Sequence, residues 1–304
     1  MNDNQIRIAT RPSEPDENSF DVTFRIMTDN DIDAGMELKE RAGWNQTRQD
    51  WKNFLFLRPE GCFVAVIGET IVGMVTTINY DNAFSWIGMV LVSAEHRRKG
   101  IGTGLLNVAI KSLENCETIK LDATPAGKKV YDRLGFVDEY ELVMMTCPAF
   151  HLNPGFPPSE LTVKSIAAGD LARIAEFDAA IFGRNRLPVL QAWWKNSPEY
   201  ACFTCEGERI SGYCLGRKGT NFECIGPLVS NTHKQAEVLL LHALQNTKGR
   251  PVLINSFLHT PNFLSFLEGL GFSRQRSLNR MYRGTNSCPG KPEKQWVVCG
   301  PEVG

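Results

Sequence analysis

Two hydrophobic periods alternate along the chain. In "DIDAGMELKERAG" and "QDWKNFLFLR" apolar residues recur at the spacing of one helix face, which predicts two short helices. "CFVAVIG" and "TIVGMVTTINY" are apolar runs rich in β-branched residues and joined by a Gly-Glu turn, the signature of paired strands, and "SWIGMVLV" predicts a third. From Ile101 the apolar positions Leu105, Leu106, Val108, Ala109 and Leu113 return to helical spacing. Strand "TIKLDAT", helix "GKKVYDRLG" and strand "EYELVMM" complete the run. Helices interleaved with strands, and hairpins at both ends, imply an α/β domain with a mixed, partly α+β sheet.

The same order then repeats. "TPAGKKVYDRLGF" (Thr124 to Phe136) aligns without gaps on "TPNFLSFLEGLGF" (Thr260 to Phe272). "CFVAVIGETIVG" matches "CFTCEGERISG", "IGMVLVS" matches "IGPLVS", and "LLNVAI" matches "LLLHAL", all in order. Self-similarity of this kind indicates a diverged tandem duplication. Proline and glycine cluster in "CPAFHLNPGFPPSE" (Cys147 to Glu160), a composition that ends elements. The expected organisation is a polar tail over 1–22, a first domain over 23–150, a linker over 151–159 and a second domain over 160–304.

Composition narrows the partners. With 33 basic and 34 acidic residues the net charge is -1, so no global field draws the protein to nucleic acid or to an anionic membrane. The N-terminal stretch lacks the apolar core of a signal peptide, and no apolar run reaches spanning length, which makes the cytoplasm the expected compartment. Nine cysteines are an odd number scattered on apolar segments, so they are expected to be reduced. Cys202 and Cys205 form a C-x-x-C without a second ligand pair, and read as strand cysteines; no metal site is expected.

The stretch "HRRKGIGTGLL" (His96 to Leu106) carries the chemistry. A Walker loop requires a lysine followed by Ser or Thr, which is absent here, and a dinucleotide fingerprint requires a glycine where Leu105 stands. What remains is a helix start whose free backbone N–H groups, dipole and neighbouring cations converge on a pyrophosphate, with glycines admitting it closely.

Arg97-Arg98-Lys99-Gly100-Ile101-Gly102 resembles the R/Q-x-x-G-x-G/A signature of the GNAT superfamily of acyl-CoA-dependent N-acyltransferases. The resemblance extends from about Phe24 to about Met145: "WIGMVLV" is similar to the family's fourth strand, "TIKLDAT" to its fifth, and "VYDRLGF" to the following helix. It implies two GNAT-like domains in tandem and acetyl-CoA as co-substrate. The implied donor site comprises Val90, Leu91, Val92, Arg97, Arg98, Lys99, Gly100, Ile101, Gly102 and Thr103, with Trp44, Asn45 and Trp86 on the acceptor side. It also implies direct attack by a primary amine, from a small molecule or a protein, on the thioester.

Three tasks follow from that reaction. Backbone N–H groups near Leu91 and Val92 would receive the charge on the carbonyl oxygen. Tyr131 would protonate the leaving thiolate. No glutamate lies in "SWIGMVLV" to take the amine's proton, which leaves Asp122 or a water chain. The second copy reads "LVSNTHKQAEVLL" where the first reads "LVSAEHRRKGIGTG", and Leu267 stands in the place of Tyr131, so that copy is expected to be degenerate. Arg184 and Arg186 are candidates for holding an anionic group. The rival reading is a coenzyme A-binding sensor without turnover.

Overall fold

The computed structural model describes residues 5–6, 21–151 and 161–304. Of the expected tail only residues 5–6, 21 and 22, and of the expected linker only residue 151, are among the described residues. The chain divides into two compact units, Met1–Ile119 and Lys120–Gly304.

In the first unit, β1 (Gln5–Ile6) and β2 (Val22–Ile26) precede α1 (Ile32–Arg41) and α2 (Arg48–Leu57). Then come β3 (Phe63–Ile67), β4 (Thr70–Tyr80), β5 (Phe84–Val92) and α3 (Ile101–Ser112). The five strands form an antiparallel series in the order β1-β2-β3-β4-β5. Helix α2 begins where the sequence supplies a reciprocal cap: Asp50 N–H donates to Thr47 Oγ1 at 3.3 Å, and Thr47 N–H donates to Asp50 Oδ2 at 2.6 Å. Its apolar face buries Trp51 and Phe54 completely.

Helix α3 lies close against this sheet because two glycines leave room. A Cβ on Gly104 would run into the Phe24 ring, and one on Gly73 would stand 2.8 Å from the Leu91 carbonyl oxygen and 3.0 Å from Leu105 Cδ1. Strand β5 also carries a bulge. Met74 pairs with Leu91 and Thr76 with Gly88, so β5 holds one residue more than β4, and Met89 adopts φ +51°. An extra residue of this kind re-aims the neighbouring backbone groups.

The second unit takes in most of β6 (Thr118–Ala123), then α4 (Pro125–Arg133) and β7 (Val137–Cys147). The repeat follows as β8 (Lys164–Ser165), α5 (Leu171–Phe182), α6 (Leu187–Asn196), β9 (Cys202–Glu206), β10 (Arg209–Arg217) and β11 (Glu223–Ser230). It continues through α7 (His233–Gln245), β12 (Val252–Phe257), α8 (Pro261–Gly269), β13 (Ser273–Gly284) and β14 (Gln295–Val297). Cys202 and Cys205 lie on β9, and both remain thiols.

Two features of this unit were not expected. Strand order runs β6-β13-β7-β12-β14-β11-β10-β9-β8. A strand of the second copy, β13, thus sits between two strands of the first, and β7 of the first sits between β12 and β13 of the second. The β5 bulge also recurs: Cys214 pairs with Leu228 and Gly216 with Ile225, again one extra residue on the later strand. The duplication therefore preserved a backbone irregularity as well as the element order. The core of this unit gathers side chains of both copies, among them Met145, Leu239, Ile254 and Phe263.

Gly104→Ala is expected to destabilise the protein by about 1–3 kcal/mol, the usual cost of forcing an atom into a packed contact. A urea midpoint equal to that of the parent chain would show that Phe24 yields without cost.

Candidate functional site

The loop ahead of α3 is built by two left-handed residues. Arg98 has φ +61° and Gly100, the residue before the helix, φ +81°. No side chain caps α3, in contrast to α2, so its leading N–H groups face outward with the helix dipole behind them. Arg97, Arg98 and Lys99 are exposed, and Arg97 Nε donates to the Val92 carbonyl at 3.1 Å, tying the loop to the end of β5. Ile101 is buried and anchors the helix, while Gly102 is half-buried and Thr103 exposed. A Cβ on Gly102 would meet only Val92 Cγ2, at 3.7 Å, an ordinary contact. This is the geometry of an anion-binding helix start, with cations on the approach and backbone donors at its base.

Val90, Leu91 and Val92 follow the bulge directly, and Leu91 is buried. Sequence reading missed the segment between them and the loop. Ser93 Oγ and His96 Nδ1 stand 2.7 Å apart, and Ser93 N–H donates to the Val72 carbonyl at 2.8 Å. Together with Glu37, Arg41, Thr70 and Glu95 these residues line a cleft of about 240 Å³. The S-x-x-H spacing was the available signal.

Of the residues expected on the acceptor side, Trp44 is half-buried and Asn45 is buried, at 9% exposure, just beyond α1. Trp86 departs from expectation. It is 1% exposed and sits opposite Ile78 in β4, so it packs the core and presents no face to a substrate.

In the second unit, Tyr131 projects from α4. Thr124 caps that helix, accepting from Gly127 N–H at 3.2 Å. The ring is seated over Gly127, where a Cβ would lie 2.9 Å from Tyr131 Cε2, and meets the edge of Phe136 with centroids 6.0 Å apart. Burial alone pushes its hydroxyl up to about 12, so it stays protonated throughout the neutral range and is available as a donor.

Asp122, expected as a proton acceptor, is already engaged. Its two oxygens accept from Arg280 Nε at 2.8 Å and Nη2 at 2.9 Å, while Arg280 Nη1 donates to Tyr140 Oη at 3.0 Å. Both members are fully buried. Burial disfavours the guanidinium's charge, but the facing carboxylate outweighs it and holds Arg280 above its ordinary value. Burial pushes the Asp122 carboxyl up, and the guanidinium opposes that push. A carboxylate with both oxygens occupied and no solvent contact is suited to holding β6 and β13 together rather than to accepting protons. Beside it, Lys120 Nζ donates to Glu139 Oε1 at 2.9 Å, and Asn286 Nδ2 donates to the same oxygen at 2.8 Å.

The second copy's counterparts differ throughout. Helix α7 is capped at both ends of its box: Gln235 N–H donates to Thr232 Oγ1 at 3.3 Å and Thr232 N–H to Gln235 Oε1 at 3.1 Å. Leu267 is wholly buried in the core. Arg186, considered for an anionic ligand, is consumed internally by Asp178, at 2.8 and 2.9 Å. Among the described residues no cluster of His, Cys, Asp or Glu could hold a metal ion, and no helix is long and apolar enough to cross a membrane.

Comparison with known proteins bears on the family and the fold. Residues 26–136 match the family described as acetyltransferase (GNAT) family, and residues 174–297 match an acetyltransferase (GNAT) domain. The chain belongs to the GNAT superfamily and carries two of its domains in tandem. It is 25% identical to holothin acyltransferase of Pseudoalteromonas sp. (strain SANK 73390), over 86% of this chain and 87% of that one. Its fold resembles that of a putative acetyltransferase from Pyrococcus horikoshii, with a TM-score of 0.79, 24% identity, and coverage of 96% and 100% of the two chains. It also resembles a tandem GNAT protein from the clavulanic acid biosynthesis pathway, with a TM-score of 0.57, 13% identity, and coverage of 86% and 98%. Acyl transfer is the reaction class that family and relatives support.

Arg280→Met is expected to cost about 3–5 kcal/mol, because it strands a buried carboxylate. With the guanidinium gone, burial, joined by the Glu139 charge and opposed only by Lys120, raises the Asp122 pKa in the folded state. The folded protein then binds more protons than the unfolded chain, so the variant should gain stability as pH falls from 7 towards 5. A variant whose unfolding free energy is flat over that interval would show that Asp122 is solvated.

Proposed function

We propose that the chain transfers an acetyl group from acetyl-CoA to a primary amine, with the donor held by the first copy alone and the second copy degenerate. The observation that carries this reading is the contrast between two equivalent helix starts. Helix α3 is uncapped behind Arg97-Arg98-Lys99, whereas α7 satisfies its own N–H groups with Thr232 and Gln235. At the first, a pyrophosphate would meet uncapped donors and three adjacent cations; at the second, the cap takes part of the donor set and Lys234 pairs with Glu237 at 3.4 Å.

In this reading Arg97, Arg98, Lys99, Gly100, Ile101, Gly102 and Thr103 receive the pyrophosphate. Val90, Leu91 and Val92, displaced by the bulge, offer backbone groups to the acyl arm. The neutral amine attacks the thioester carbon; the C–S bond breaks as the amide C–N bond forms, and Tyr131 gives its proton to the departing sulfur. The amine's proton leaves through water, because Asp122 is paired. Trp44 and Asn45 belong to the acceptor wall. A small-molecule amine is the favoured acceptor, since the small-molecule-named relative, holothin acyltransferase, is matched over most of both chains. The cytoplasm is the proposed compartment.

Calorimetry with coenzyme A should show one site per chain. Gly102→Leu should weaken that binding at least about tenfold without lowering the melting temperature, because the fold accommodates a Cβ there while the side chain intrudes on the anion. Unaltered affinity in that variant would remove the loop from the site.

Tyr131→Phe should keep folding and coenzyme A affinity, and lower single-turnover acetyl transfer to an amine about 10²–10⁴-fold. Unchanged transfer would assign the proton to water or another group. Tight coenzyme A binding without thiol release for any amine would favour a sensor over an enzyme.

A further inference from the structure

Strands β11 and β12 of the second copy begin as parallel neighbours and then part. They pair at Glu223 with Val252 and at Cys224 with Leu253. Beyond that point β14 runs between them, antiparallel to both: Val297 faces Leu228 on one side and Ser256 on the other. Ser256 Oγ donates to the Trp296 carbonyl at 2.7 Å, and Val298 N–H donates to the Asn255 carbonyl at 3.0 Å. Pairing starts at the bulge, where Gly226 admits the segment closely; a Cβ there would collide with the Val298 carbonyl oxygen.

The rest of the segment is equally enclosed. Gln295, Val297, Val298, Cys299, Glu302 and Val303 are each at most 4% exposed. Glu302 pairs with the buried Arg217, and the Gly304 oxygen accepts from Arg186 Nη1 at 3.0 Å. At the other end the Trp296 indole stacks on His233, the first residue of α7, with centroids 5.3 Å apart and planes at 29°. This segment therefore reaches from the helix start, past the bulge, to the residues that follow α5. Parted strands expose rows of N–H and C=O groups that need a partner. In the first copy the proposal above gives the corresponding place, behind the Met89 bulge and ahead of α3, to the acyl donor.

We infer that Gln295–Gly304 is the resident ligand of the second copy: a peptide strand occupying the slot where the first copy takes its acyl donor. The inference rests on that reading of the first copy. It explains why the second copy combines the bulge and parted strands with a capped helix start, since an extended peptide needs the split edges but no anion site.

The test uses the full chain with a protease site inserted at the exposed Gly284–Thr285 and cut after folding. The severed segment should stay bound through gel filtration, and a fluorescent peptide of residues 291–304 should exchange into the slot. The same peptide carrying Trp296→Ala should bind at least about tenfold more weakly, the usual loss for a stacked aromatic anchor. Departure of the segment with no fall in melting temperature, or equal binding of both peptides, would overturn the inference. In the uncut chain the amide protons of Val297 and Val298 should exchange as slowly as those of β12; exchange at loop rates would also overturn it. Coenzyme A titration separates the two readings. A second site would overturn the occupied slot, whereas no site at all would overturn the donor reading of the first copy while peptide exchange still supported the resident strand.

Discussion

One buried ion pair in the second unit joins the two copies of the repeat. Asp122 belongs to a strand of the first copy and Arg280 to the last long strand of the second, 158 positions away. Neither is solvated, and each is the other's main compensation for leaving water. Their bidentate contact fixes the edge of β6 two residues before Thr124, the cap from which α4 and Tyr131 start. The orientation of the candidate acid is thus referred to a side chain supplied by the other copy. The second copy has a physical role in this unit: it contributes a strand and a counter-charge that the first copy lacks.

Much of this architecture was legible in the sequence, because the signals are local. Helix and strand periods and the gapless "TP…LGF" correspondence each depend on residues within a few turns of one another. The uncapped start of α3 was readable for the same reason, since glycine and arginine in place of Ser, Thr or Asp before a helix leave its donors free. Loss of that loop in the second copy was visible as plain substitution.

What escaped was non-local. Asp122 in "LDATPAG" has the same neighbours whether it accepts protons or anchors a guanidinium, and only the fold brings Arg280 to it. Trp86 sits in a strand that is apolar almost throughout and buried on both faces, so the sequence does not disclose whether it packs the core or lines a pocket. The segment "QWVVCGPEVG" is too short to carry a period, and its extended form is imposed by the strands on either side of it. Arg186 looked available because its partner, Asp178, lies on a preceding helix across a glycine-terminated turn.

The interleaving of β7 and β13 bears on how the protein is made. Ser273 hydrogen-bonds to Thr146, 127 positions earlier, so β7 leaves the ribosome long before the strand that will flank it exists. The first copy cannot close its sheet as it emerges, and its open edge must be shielded or tolerated until nearly the whole chain has been translated. Closure of such distant pairings is slow by nature. A ribosome stalled after the first half would therefore release a fragment whose β7 edge is unpaired, a substrate for chaperones and proteases rather than a finished sheet.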